Sequence, residues 1–87
     1  KNVGLANGNL ELKVKGGGSM FTILSLESDG NVGINGESYG GADGAVFIAN
    51  AGTLPTSTPS GGGILYVRGG ALWWRGSSGT DTLLASA

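Results

Sequence analysis

Short runs of apolar and polar residues, each closed by glycine, organise this chain. Leu10–Lys15 alternates cleanly, with Leu10, Leu12 and Val14 on one face and Glu11, Lys13 and Lys15 on the other. That is the pattern of a strand with one wet face. Gly16–Gly18 ends it. In Met20–Leu26, strict alternation puts Phe21 and Ile23 on one side and Met20, Leu24 and Leu26 on the other. Apolar residues on both faces predict a strand covered twice, which a lone three-stranded sheet does not provide. Asp29–Gly30, ahead of Val32–Ile34, is a favoured dipeptide for a two-residue type I′ hairpin turn. Asn35–Gly44 reads as a loop whose one large apolar side chain is Tyr39, and Val46–Ala49 reads as a short buried strand. Thr53–Gly63, with Pro55 and Pro59, is an extended connector. Ile64–Arg68 and Ala71–Arg75 flank Gly69–Gly70, which predicts a hairpin with a primed turn. Gly76–Gly79 supplies one more turn and Thr82–Ala85 a final strand.

No window carries a sustained helical period with caps. The expected fold is therefore all-β, a short-stranded meander with β-hairpins. Its parts are an N-terminal β region over 1–52, a Gly/Pro-rich connector over 53–63, and a C-terminal hairpin and tail over 64–87, making one compact unit overall.

Composition sharpens this picture. A chain of 87 residues buries only about 60–65% of the surface that its unfolded form exposes. Small folds compensate with disulfides, a structural metal or self-association. Cysteine and histidine are both absent, which removes disulfides and the usual zinc ligands. Self-association is the remedy left. Glycine supplies 19 residues, against an average near 7%, and each costs extra backbone entropy on folding. With 39% hydrophobic and 13% charged residues, the chain does not read as disordered. Net charge is −1 with no basic cluster, which argues against nucleic acid as a partner. No apolar run approaches the roughly 18 residues of a membrane span, and no apolar leader follows Lys1. Lys1 in place of an initiating Met suggests a piece of a longer protein.

Candidate chemistry is sparse. Without His or Cys, the commonest general base and the best thiol nucleophile are missing. Glu27, Asp29, Glu37 and Asp43 could furnish a carboxylate pair for glycoside hydrolysis, although a domain this small leaves little room for a substrate cleft. Asp29, Asn31, Asn35 and Glu37 carry oxygens suited to calcium. Their spacing misses the EF-hand register, and turn chemistry explains Asp29–Gly30 without a metal. The glycine runs at Gly16–Gly18, Gly40–Ala45 and Gly61–Gly63 lack the helix and the GK[ST] of a phosphate loop. No cofactor and no catalytic residue is expected. In Trp73–Trp74, strand neighbours point to opposite faces, so one indole packs inward and the other outward, either as protomer core and subunit contact or as a binding patch. Tyr39, Tyr66, Trp73, Trp74 and Arg75 are the candidate interface or receptor contacts, with Arg68 and Arg75 flanking their hairpin as solvated or inter-chain ion-pair residues.

Two stretches carry a resemblance. Ser28–Asn35, SDGNVGIN, resembles the DGNVGIG segment of phage tail-fibre and related virion proteins. Thr58–Ala87, TPSGGGILYVRGGALWWRGSSGTDTLLASA, is similar to the ends of many phage structural proteins, where GGGVLYVEGGALKYRGSSGT precedes a short apolar tail. Arg68 stands here in place of the glutamate, and Trp73–Trp74 in place of lysine and an aromatic. The resemblance implies a fibre or spike segment on the virion surface, outside the cell, built as an intertwined parallel homotrimer. Its partners would be its own copies, the rest of the virion fibre and a bacterial surface glycan or protein. Trimerisation ranks first as its role and host attachment second. A monomeric carbohydrate-binding β module using exposed tryptophans is the alternative, and an enzyme comes last.

Overall fold

The structure, a computed structural model, describes residues 9–87; the first eight residues of the expected N-terminal region lie outside it. The described residues form seven strands and no helix. The chain divides into two units, Lys1–Ala49 and Asn50–Ala87.

The first unit is a four-stranded sheet in sequence order, β1 (Leu10–Gly16), β2 (Ser19–Leu26), β3 (Val32–Ile34) and β4 (Val46–Ile48). The β1–β2 hairpin turns on Gly17 and Gly18, at φ 59° and 87°. Both central residues of a type I′ turn need positive φ, which glycine adopts freely. The β2–β3 connection departs from the expected two-residue turn. Gly30 is left-handed at φ 90°, but its N–H donates to the Glu27 carbonyl, and the Glu27 N–H donates to Asn31. The loop therefore holds three residues, Ser28–Gly30, with the glycine closing it. Asp29 keeps a negative φ, so the primed turn is not available to it.

Strand β2 holds the main surprise. Leu12 pairs with Leu24 and Lys13 with Thr22, so Ile23 is an unopposed extra residue, a β-bulge. The bulge flips the alternation of β2 midway. Val14 pairs with Phe21, and Phe21 thereby joins Leu24 and Leu26 on the face of Leu10, Leu12 and Val14. Met20 pairs with Lys15 and falls on the polar face. The expectation that Phe21 lies opposite Leu24 and Leu26 is thus corrected: these three gather on one side, with Met20 on the other and Ile23 in the bulge.

Strand β3 pairs with β4 in parallel, which requires the intervening chain to cross the sheet. Asn31 anchors that crossing. Its side chain, 2% exposed, donates from Nδ2 to the Ala42 carbonyl at 2.7 Å and accepts from the Ala45 N–H at 2.8 Å. The Gly44 N–H reaches the Asp29 carbonyl at 3.1 Å. One amide thus closes the C-terminal end of the 35–44 loop onto the turn, while the Asn35 N–H at its other end donates to the Ile23 carbonyl.

The second unit is a three-stranded meander, β5 (Ile64–Arg68), β6 (Ala71–Arg75) and β7 (Asp81–Ala85). Gly69 and Gly70, at φ 56° and 82°, make the expected primed turn. Ser77–Gly79 repeats the three-residue loop of the first unit: the Gly79 N–H donates to the Gly76 carbonyl, and the Gly76 N–H to Thr80. Leu84 is an unopposed extra residue in β7, between Leu83 paired with Trp73 and Ala85 paired with Leu72. Residues 53–63 belong to this unit, where the Ser57 carbonyl accepts from Arg75 at 3.5 Å. Asn50 bridges to Val67, and its Oδ1 accepts from the Gly70 N–H at 2.8 Å.

Candidate interaction surface

Register decides the two faces of the first sheet. Paired residues share a face, so Leu10, Leu12, Val14, Phe21, Leu24, Leu26, Val32, Ile34, Val46 and Ile48 all lie on one side. That side runs across four strands with one polar residue, Ser19, opposite Gly16 at the hairpin end. It is also open: Leu12, Val14, Phe21, Ile34 and Val46 are exposed, Val46 to 63%.

The reverse face is polar and partly covered. Glu11, Lys13 and Lys15 line it on β1, with an Lys13–Glu11 ion pair at 3.5 Å. The 35–44 loop crosses it over Gly33. A Cβ on Gly33 would strike the Gly36 carbonyl oxygen and the Tyr39 hydroxyl, so the close crossing depends on glycine. Tyr39 meets Phe47 edge to face at 6.4 Å. Its hydroxyl is buried without a hydrogen-bond partner. Desolvation and then the Glu27 and Glu37 charges raise its pKa; Ser25 approaches and offsets part of the rise without the geometry of a full hydrogen bond. Beside it the Glu27 carboxyl is pushed up to about 7, first by a hydrogen bond with Glu37, then by desolvation and the neighbouring Glu37, Asp29 and Glu11 charges.

In the second unit, Tyr66 is the buried apolar side chain, 7% exposed. Its hydroxyl donates to Asp81 Oδ1 at 2.9 Å. Arg75 holds both oxygens of the same carboxylate, Nε at 3.2 Å and Nη2 at 3.1 Å, a bidentate fork. Desolvation, then the Asp81 hydrogen bond, keeps Tyr66 protonated above its ordinary range. Arg68 lies over the Trp73 ring at 5.5 Å, a cation–π contact. Trp74 faces the other way, 41% exposed, with its indole occupying the space that a Gly63 side chain would need.

The candidate contact residues thus have different fates. Trp74 is presented at the surface. Trp73 is half-buried beneath Arg68. Tyr39 sits on the polar face of the other unit, apart from the C-terminal hairpin in sequence. Tyr66 and Arg75 are both engaged by Asp81 in a network within their own unit. Arg75 is an intrachain ion-pair partner, and Arg68 sits against an aromatic ring. Of the calcium candidates, Asn31 has spent its amide on the backbone. Among the described residues no group of three or more acidic side chains is placed to hold a metal. The apolar face of the first sheet was missed in the sequence because the bulge hides it: strict alternation scatters residues that the bulge collects.

No family model matches the chain, and no curated protein matches it. Among solved structures it is similar to a novel hyaluronidase from Streptomyces koganeiensis, with 36% sequence identity and a TM-score of 0.47. The match covers 97% of this chain and 48% of that one, so the chain spans about half the length of that protein. A likeness of this extent assigns neither fold nor activity.

Proposed function

We propose that this chain is a non-catalytic structural module that self-associates, one protomer of a homotrimeric fibre or spike segment on the surface of a phage virion. The observation that carries the self-association is the missing core. Among the described residues Tyr66 is the only buried apolar side chain, while twelve large ones are exposed. Burying such a side chain contributes about 1.5–3 kcal/mol, and these twelve, still 38–63% accessible, forgo a large part of that gain in a single chain. The assignment to a phage fibre rests on the SDGNVGIN and C-terminal resemblances. The non-catalytic reading is supported by the absence of His and Cys, which removes the commonest general base and the best thiol nucleophile.

Light scattering after size exclusion tests the reading. A native mass three times the 8.6 kDa chain is expected, and a folded monomer would overturn it. Attachment to a bacterial surface glycan is a second reading, favoured by Trp74, whose indole is seated on Gly63 and still exposed. Stacking on a sugar ring needs such a flat, fixed aromatic face. Trp74→Ala should then abolish host-cell attachment and leave the native mass unchanged; retained attachment would remove this second role.

A further inference from the structure

We propose that the apolar face of the β1–β4 sheet is the surface against which further copies of this chain pack, with the reverse face of that sheet turned away from the contact. This rests on the self-association reading and names its surface. Two strands of 7 and 8 residues and two of 3, at about 3.3 Å per residue and 4.8 Å between strands, present roughly 330 Å² in projection. That already matches the largest apolar patch on an ordinary monomer, about 300–600 Å². The patch carries no charge, and its one hydrogen-bonding side chain is Ser19 at the hairpin end, so an occupant recognised by charge has nothing to hold.

The occupant follows from the energetics. No apolar side chain of this unit's described residues is buried, so the sheet lacks a core until something covers it. Obligate interfaces resemble a domain core cut in half, and half a core is what this face is. A partner that came and went would leave the unit without a stabilising core each time it left. A copy of the same chain is always present where the chain is made, and it brings an identical uncovered face. The Ile23 bulge is what makes the surface continuous, by turning Phe21 onto it.

The absence of cysteine permits a clean test. Leu12→Cys and Val14→Cys place thiols on the apolar face, and Lys13→Cys places one on the reverse face of the same strand. Each variant is treated in its native state with a short bis-maleimide linker and resolved on a denaturing gel. Leu12→Cys and Val14→Cys should cross-link into covalent multimers, and Lys13→Cys should remain a single chain. Loss of the native assembly in both face variants, with Lys13→Cys still assembled, also supports the surface. Cross-linking confined to Lys13→Cys in an assembled protein would overturn the surface and leave self-association standing. A folded monomer of the unmodified chain would overturn both.

Discussion

Asn31 shows how one side chain can hold a loop. Its amide supplies a donor to Ala42 and an acceptor to Ala45, standing in for a strand where none fits. Asn31→Ala would leave a carbonyl and an N–H without partners, each costing about 1–3 kcal/mol. We expect a loss of about 2–4 kcal/mol in urea denaturation, with Asn31→Asp recovering only part because a carboxylate cannot donate to the Ala42 carbonyl. The Glu27–Glu37 contact makes a different prediction. Glu27 has its folded pKa raised from 4.5 to about 7, so between those values the folded state binds more protons than the unfolded state. Stability then falls as pH rises. The contribution is complete below about 4.5 and gone above about 7. Melting temperature followed from pH 4.5 to 7.5 should decline, and Glu37→Gln should flatten the decline, because its amide can donate to an ionised Glu27. A flat profile for the unaltered chain would contradict the shared proton.

At the scale of elements, the two units repeat one plan. Each has a hairpin closed by two left-handed glycines, then a three-residue loop ending in a left-handed glycine, Ser28–Gly30 or Ser77–Gly79. Each carries one bulge. The turn positions were legible because Gly–Gly and the glycine after Ser28–Asp29 or Ser77–Ser78 are chemical signals for positive φ, although Gly30 closes a three-residue loop in place of the expected two-residue turn. The bulges were not, since Ile23 and Leu84 look like any other strand residue. The close crossing over Gly33 belongs to this scale too. Gly33→Ala should cost roughly 3 kcal/mol, the upper end of overpacking penalties, because the obstacle is the Gly36 backbone and not a flexible side chain. Gly62→Ala, where a Cβ meets nothing within 4 Å, should be neutral or stabilising by about 0.5 kcal/mol. Equal losses at the two sites in thermal melts would show that the 35–44 loop does not lie over β3 as described.

For the whole molecule, stability and association become one quantity if copies supply each other's core. The melting temperature should then rise with protein concentration, and a series spanning a hundredfold in concentration would show it; a constant value would indicate a self-sufficient monomer. The short strands, the primed turn at Gly69–Gly70 and the absence of helix among the described residues were all determined by the sequence, because glycine conformation and apolar alternation act over a few residues. So was the shortage of core, which follows from chain length and the lack of cysteine and histidine. Which residues make up the apolar side of the first sheet was decided only by the tertiary structure. So were the parallel β3–β4 pairing, the burial of Asn31 and the joint capture of Tyr66 and Arg75 by Asp81. Each depends on a partner at least six residues away, and a single inserted residue such as Ile23 reverses a face without leaving a local mark. Strand register, set by pairing across the sheet, is the physical link that the linear pattern lacks.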